Sequence, residues 1–192
     1  MAKENRISGM RFTGAPDRSG NFVFLSDAAQ DTWAAANDLG LVIVLMPLGT
    51  QMSQAMKRVG ELAARYPNVK IVLDHIGFPN PEKIPYTFGL TPEHLALASH
   101  KNVYYKYTTL LIEQLLEAKV SLKGFLHHMV GVYGADHLVW GSDIGNSEVP
   151  LNDFVRHALD SADGFMLKQK KAIFYDTAKA VFIPGGRGPK RS

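Results

Sequence analysis

The chain has 192 residues, of which 46% are hydrophobic and 20% charged, enough apolar material for the core of one globular domain over residues 1–192. The formal net charge is only +3 and cysteine is absent, which excludes a disulfide framework, a thiolate nucleophile and a thiolate metal site. The composition argues against a nucleic-acid-binding, membrane-spanning or exported protein and favours a cytoplasmic location. We expect residues 184–192, which carry three basic side chains, to form a flexible basic tail.

Strands and helices alternate along the predicted structure. Apolar runs rich in β-branched and aromatic residues predict five strands, at residues 6–13, 41–47, 69–77, 102–108 and 137–142. Predicted helices cover residues 27–39, 52–65, 150–162 and 165–182, a further helix begins near Pro92, and residues 112–133 form one long helix or two short ones interrupted near Gly124. Ser26 is the predicted N-cap of the first helix, which ends at Gly40.

This alternation predicts an α/β fold built from parallel βαβ units. Residues 41–46 are apolar without alternation, which is typical of a strand covered on both faces. Five such units suit either an open, doubly wound sheet or part of an eight-stranded barrel, which usually needs about 250 residues. No glycine-rich phosphate-binding turn follows any strand, so the sequence gives little support to a nucleotide-binding sheet.

Two predicted strands lead into a polar side chain followed by Ile-Gly, namely His75 and Asp143. By strand alternation, His75 shares a face with Leu73, and Asp143 shares one with Gly141. Because parallel strands present their carboxyl ends at the same edge, we expect His75 and Asp143 to converge in an active site. The structural alternatives are a hydrogen-bonded core histidine and a capping or turn aspartate. An imidazole beside a carboxylate can transfer protons or ligate a divalent metal.

Three further side chains are candidates for substrate binding. Arg11, on the first predicted strand, is suited to anchoring a carboxylate, although a surface ion pair is the alternative. Lys106 and Tyr107 point to opposite faces of the fourth strand, so either one of them could line the pocket, with aromatic packing as the alternative for the tyrosine. Asp74 points away from His75 if the strand continues, and a supporting role behind the site is a weaker interpretation.

Four segments together resemble the amidohydrolase-related (amidohydrolase 2) family of the metal-dependent hydrolase superfamily, over residues 7–182. They are Val72-Leu-Asp-His-Ile-Gly-Phe-Pro79, Asn102-Val-Tyr-Tyr-Lys-Tyr-Thr108, Gly134-Ala-Asp-His-Leu-Val-Trp-Gly-Ser-Asp143 and Tyr175-Asp-Thr-Ala-Lys-Ala-Val-Phe182. The resemblance implies a TIM-barrel-like fold in which His75 follows strand six and Asp143 follows strand eight. It therefore implies a partial barrel of about five parallel strands, strands four to eight.

The chain departs from the family pattern at the metal ligands. The family begins with a strand ending in His-x-His, a spacing that none of the seven histidines makes, and on strand five, where many relatives place another histidine, this chain has Leu45-Met46-Pro47. His75 and Asp143 remain as two candidate ligands, fewer than the three that a catalytic zinc site usually has. A divalent metal, zinc or manganese, and no metal at all are equally weighted expectations.

The resemblance implies an enzyme that hydrolyses a small carboxylated lactone, ester or related cyclic compound. In that hypothesis Asp143 activates water, His75 polarises the scissile carbonyl directly or through a metal, and Arg11 holds a substrate carboxylate. The alternatives are a catalytically silent barrel segment that binds a ligand or acts as a scaffold, and a decarboxylase of the same family. The unpaired edges of a partial barrel predict a homo-oligomer.

Overall fold

The computed structural model describes residues 7–143, 145 and 150–183, and the predicted tail at 184–192 lies outside them. Five parallel strands form one open sheet: β1 (Gly9–Gly14), β2 (Val42–Pro47), β3 (Lys70–Leu73), β4 (Val103–Thr108) and β5 (Leu138–Gly141). The spatial order β1-β2-β3-β4-β5 follows the chain without reversal. A doubly wound sheet reverses its strand order, whereas a barrel does not. The architecture is therefore that of a partial barrel, one of the two alternatives that the sequence pattern allows and the one that the family resemblance implies.

Helices follow the strands at the expected places. They are α1 (Gln30–Leu39), α2 (Met52–Arg65), α3 (Pro92–Ala96), α4 (Thr109–Glu117), α5 (Leu122–Tyr133), α6 (Leu151–Ser161), α7 (Leu167–Lys171) and α8 (Thr177–Phe182), with a π-helical turn at Ala172–Asp176 before α8. Short 3-10 turns lie at Val23–Leu25, Asp27–Ala29, Asp74–Gly77, Pro85–Thr87, Leu97–Ser99 and Ala135–His137. No helix in the described ranges combines the length and apolar character needed to cross a bilayer.

Two helix boundaries differ from the sequence prediction. Residues 112–133 contain two helices, and the break falls at residues 118–121 instead of Gly124, because Ser121 caps α5 by accepting from the Gly124 amide. The predicted N-cap of the first helix, Ser26, donates its hydroxyl to the Val23 carbonyl, and a 3-10 turn separates it from α1. The predicted end at Gly40 is confirmed, since this glycine adopts the left-handed conformation that ends many helices.

The two faces of the sheet are covered differently. Helices α1 to α6 pack on one face, where they bury the main core, as expected when parallel strands are joined by right-handed crossovers that all run in one direction. On the other face, the first halves of β2 and β3 pack against the end of α8, in a small cluster of Val42, Val44, Val72 and Val181. Lys70 ties α8 to this face by donating its ammonium to the Ala180 carbonyl at 2.6 Å. The carboxyl-terminal half of the same face carries the polar side chains described next.

Candidate active site

His75 lies in a left-handed turn that directly follows β3. The strand ends at Leu73, and His75, Ile76 and Phe78 have φ values of 53°, 54° and 56°. This conformation costs a residue with a side chain roughly 1–2 kcal/mol, and such strain concentrates at functional sites. The prediction that His75 continues the alternation of β3 is wrong, because the turn rotates its side chain away from the face of Leu73.

The imidazole of His75 is buried and held by β4. Its Nδ1 lies 2.7 Å from Oγ1 of Thr108, and its ring packs on Phe78 with centroids 4.7 Å apart. Burial lowers the pKa of His75 below its ordinary value of 6.5, opposed by the carboxylates of Asp74 and Asp143. The ring is therefore neutral near pH 7.

Asp143 meets His75 above the end of the sheet. It follows β5, has a left-handed φ of 46°, and its Oδ2 lies 3.9 Å from Nε2 of His75. The hydroxyl of Thr109 donates to the Ser142 carbonyl beside it, which fixes this end of β5 to α4. Oδ2 of Asp143 and Nε2 of His75 are too far apart for a direct hydrogen bond, but a substrate or water oxygen placed to one side could lie within about 3 Å of both. The expected convergence of the two residues is thus present in the geometry.

Arg11, Asp74 and Lys106 form a charged cluster on the same face of the sheet. Asp74 Oδ2 accepts from Arg11 Nε at 2.8 Å, and its Oδ1 lies 2.7 Å from Lys106 Nζ. The aspartate side chain is 4% exposed, whereas Lys106 is 23% and Arg11 47% exposed, so the carboxylate lies beneath its two cations. Arg11 also donates from Nη2 to Sδ of Met46 at 3.0 Å. Two of the predicted substrate-binding residues are therefore adjacent, joined by an aspartate that sequence reasoning placed behind the site.

The register between the strands is the feature that places Asp74 in the cluster. Arg11 pairs with Val44, and Val44 with Val72, so Asp74, two residues after Val72, lies on the face of Arg11. The sequence shows the alternation within each strand but not this pairing between strands.

Tyr107 is not brought to the cluster. It lies on the helix-covered face, is fully buried, and its hydroxyl donates to Oγ of Ser161 at 3.3 Å. Burial raises the pKa of Tyr107 to about 12. The sheet would separate a ligand bound beside Arg11 from Tyr107. The role of Tyr107 in this structure is therefore packing in the main core.

His94 supports the turn of His75 from the helix side. It is buried, its Nε2 donates to the Gly77 carbonyl at 3.0 Å, and its Nδ1 lies 2.9 Å from Oγ1 of Thr91, the N-cap of α3. Burial lowers the pKa of His94 below 6.5. A proton added at Nδ1 would remove the acceptor at the start of α3.

We expect acid to destabilise the protein through these two histidines. Because the pKa values of His75 and His94 are lowered on folding, the unfolded chain binds more protons as the pH falls below about 6.5. The contribution of the two histidines to the free energy of unfolding is therefore complete above about pH 6.5 and decreases as the pH falls below it. Urea unfolding from pH 7.5 to pH 5.5, at about one-unit intervals, measures the trend. In His94→Gln, which keeps an acceptor and a donor, the dependence should be shallower; an unchanged dependence would contradict this assignment.

A metal centre requires more donor atoms than this site brings together. In the described part of the chain, no group of three or more His, Cys, Asp or Glu side chains is placed to hold a metal ion. His75 and Asp143 supply two donors, and the cations of Arg11 and Lys106 lie on the same face. These residues do not fit the three-ligand set of a catalytic zinc site.

A cavity of about 590 Å³ lies beside the turn, between residues 48–53 and 78–84. Phe78 lines this cavity, but His75, Asp143 and Arg11 do not. Among the described residues, the helices of the main core pack on the other face of the sheet from Arg11, Asp74 and Lys106.

Comparisons with known structures identify the fold. An amidohydrolase from Burkholderia multivorans with bound HEPES has a TM-score of 0.74 and 15% identity, covering 94% of this chain and 67% of that chain. A Pseudomonas putida protein described as a 2-pyrone-4,6-dicarboxylic acid hydrolase has a TM-score of 0.73 and 22% identity, covering 98% and 67%. A manganese-bound dihydroxybenzoic acid decarboxylase from Polaromonas sp. JS666 has a TM-score of 0.61 and 16% identity, covering 94% and 62%. A zinc-bound form of the Burkholderia protein is also similar, with a TM-score of 0.72 and 15% identity, covering 91% of this chain and 63% of that chain.

At these identities the structural similarity shows the fold alone, and the chain spans about two thirds of the length of these structures. No curated protein matches the sequence. A family model described as Amidohydrolase (Amidohydro_2) matches residues 1–182, which is nearly the whole chain. The chain therefore belongs to the amidohydrolase family.

Proposed function

We propose that the protein is a hydrolase of a small carboxylated lactone, ester or related cyclic compound. The observation that carries this proposal is the placement of a buried imidazole 3.9 Å from a carboxylate, at the ends of two parallel strands. Both residues have left-handed backbones, which the surrounding structure must stabilise. One structural neighbour, the Pseudomonas protein, is described as a hydrolase of a pyrone dicarboxylic acid, a cyclic ester with two carboxyl groups.

In the proposed reaction Asp143 acts as general base. It takes a proton from a water molecule, whose oxygen adds to the carbonyl carbon of the substrate. Nε2 of His75 donates a hydrogen bond to the carbonyl oxygen and stabilises the negative charge that develops there. When the carbon–oxygen bond to the leaving group breaks, the proton held by Asp143 passes to the departing oxygen. The products are a carboxylic acid and an alcohol, joined in one molecule when the substrate is a lactone.

Arg11 is the proposed anchor for a substrate carboxylate. Its Nε and Nη2 are held by Asp74 and Met46, and Nη1 has no hydrogen-bond partner within the described residues. A guanidinium fixed on one side and open on the other is suited to binding a carboxylate. Lys106 adds positive charge from β4, so the cluster of two cations and Asp74 carries a net charge of about +1.

A silent ligand-binding or scaffold protein is the second candidate. The sequence favours it, because the chain has neither a His-x-His spacing nor a histidine at Leu45-Met46-Pro47 on strand five, and Met46 instead accepts a hydrogen bond from Arg11. We also propose that the protein is cytoplasmic. A homo-oligomer is proposed because the outer edge of β1 has no neighbouring strand among the described residues, and a second copy of the chain could cover it. Sedimentation of the purified protein tests the oligomer.

Turnover of a substrate panel separates the two candidates. The panel pairs carboxylated lactones and esters with analogues that lack the carboxylate, and each is assayed with chelator, zinc or manganese. The hydrolase proposal expects turnover of carboxylated members only. No turnover of any member under any condition would favour the silent candidate.

Arg11→Gln tests the carboxylate anchor with the substrate so identified. Loss of a charge-assisted hydrogen bond at a half-exposed site should raise KM about tenfold and change kcat little. Arg156→Gln removes the same charge from an exposed pair with Asp153 on α6 and should leave KM unchanged. An unaltered KM in Arg11→Gln would contradict the assignment.

A further inference from the structure

Thr108 joins β4 to α4 and contacts two groups through one hydroxyl. It is buried, and as the N-cap of α4 its Oγ1 accepts from the Leu111 amide at 3.3 Å. The same oxygen lies 2.7 Å from Nδ1 of His75. These are the two hydrogen-bonding contacts of the Thr108 hydroxyl within the described part of the chain.

The direction of these two hydrogen bonds follows from their chemistry. A backbone amide can only donate, so Oγ1 accepts from Leu111 and retains its own proton. Among the described residues, the one acceptor within hydrogen-bonding distance of that proton is Nδ1 of His75. If Nδ1 carried a proton instead, Oγ1 would accept twice and the buried hydroxyl proton would have no acceptor, which is unfavourable. The neutral ring therefore carries its proton on Nε2.

The surroundings of Nε2 favour the same tautomer. This nitrogen faces Oδ2 of Asp143 at 3.9 Å, and a nearby carboxylate stabilises an N–H group more than a lone pair. Two contacts from different strands, Thr108 on β4 and Asp143 after β5, thus select one of two nearly equivalent forms of the ring.

We propose that Thr108 is a positioning residue that holds neutral His75 in the Nε2–H tautomer and thereby makes it a hydrogen-bond donor to a bound oxygen atom. The inference deepens the proposed function, since it assigns the atom that contacts the substrate carbonyl. It also means that a metal ion on Nε2 would require the opposite tautomer, in which the Thr108 hydroxyl proton loses its acceptor.

Side-chain nitrogen NMR of protein with labelled histidine reads the tautomer directly. The long-range spectrum is recorded at about pH 8, where a histidine of ordinary pKa is neutral, and the His75 signals are assigned by their absence in His75→Gln. We expect the Nε2 signal at the position of a protonated nitrogen and the Nδ1 signal at that of an unprotonated one. The reverse assignment would overturn the proposal.

Variants of Thr108 test whether it causes this preference. In Thr108→Val the Nδ1 and Nε2 signals should move toward each other, as the second tautomer becomes populated. Thr108→Ser keeps the hydroxyl and should restore the wild-type positions. Signals of His75 that are unchanged in Thr108→Val would overturn the proposal.

Two controls separate positioning from loss of stability. Ser121→Ala removes the equivalent N-cap of α5, and Thr177→Val makes the same substitution at a buried hydroxyl that has no hydrogen-bond partner among the residues the structure describes. Neither should move the His75 signals; a shift in Ser121→Ala as large as in Thr108→Val would overturn the proposal.

The NMR readout is independent of turnover. A wild-type Nε2–H signal in a protein that hydrolyses nothing would refute the proposed function and leave the tautomer assignment intact. If turnover is found, Thr108→Val should lower kcat about tenfold with little change in KM, as expected for a contact made in the transition state.

Discussion

Replacement of Asp143 by Asn is expected to lower kcat by about 10²–10⁴-fold on whichever carboxylated lactone or ester the protein hydrolyses, the range for loss of a general base. The amide has the size and shape of the carboxylate but cannot take a proton from water. Substrate binding through Arg11 does not involve Asp143, so KM should change little. Initial rates at saturating and subsaturating substrate give the two parameters separately.

The same substitution at an exposed carboxylate is the matched control. Asp163→Asn removes a surface charge that lies 3.5 Å from Lys170, in the connection between α6 and α7. This variant should retain full activity. Urea unfolding checks that Asp143→Asn is folded. A folded Asp143→Asn variant with wild-type turnover would show that Asp143 is not the base, even if hydrolysis itself were established.

Much of the fold could be predicted because its signals are local. Residues 41–46 have no polar member, and the structure buries this strand between the main core and the small cluster at α8. The paired positions of His75 and Asp143 could also be anticipated, since the carboxyl ends of parallel strands lie at one edge. The family resemblance supplied the strand numbering, and the observed order β1 to β5 agrees with it.

The orientation of His75 could not be predicted from strand alternation, because it depends on where β3 stops. Histidine is one of the residues enriched in left-handed turns, but the β-branched Ile76 that follows is a poor residue for one, so the sequence does not signal two successive left-handed residues here. The turn is stabilised by the burial of Ile76 and by the hydrogen bond from His94 to Gly77, which are both tertiary contacts. Strand alternation therefore assigns the side chain of His75 to the wrong face of the sheet.

The charged cluster required contacts between strands. Lys106 and Tyr107 are equivalent candidates within β4, and only pairing with β3 shows that Lys106 faces Asp74 while Tyr107 faces the helices. A buried aspartate between two cations has no signature in the composition of any one segment. The register of four paired strands, β1 to β4, creates it.

This arrangement makes Asp74 a determinant of stability as well as of the site. Asp74→Ala should lower the free energy of unfolding by about 2–3 kcal/mol, since it leaves Lys106 partly buried without its counter-ion and brings two positive charges into proximity. The expected loss is below the 3–5 kcal/mol of a fully buried pair because Arg11 is 47% exposed and can reach water. Asp153→Ala, which removes an exposed partner of Arg156, should cost less than about 1 kcal/mol.

A double-mutant cycle shows whether the loss comes from this contact. Lys106→Met replaces the ammonium by an apolar end of similar length, next to the ring of Phe182 that lies 5.9 Å from Nζ. If the two groups interact, Asp74→Ala should destabilise the Lys106→Met background less than the wild type, by about 1 kcal/mol or more. Equal losses in the two backgrounds, measured by urea unfolding, would mean that Lys106 and Asp74 are uncoupled. Arg11 alone would then hold the carboxylate, and the positive charge available to a substrate would be that of Lys106.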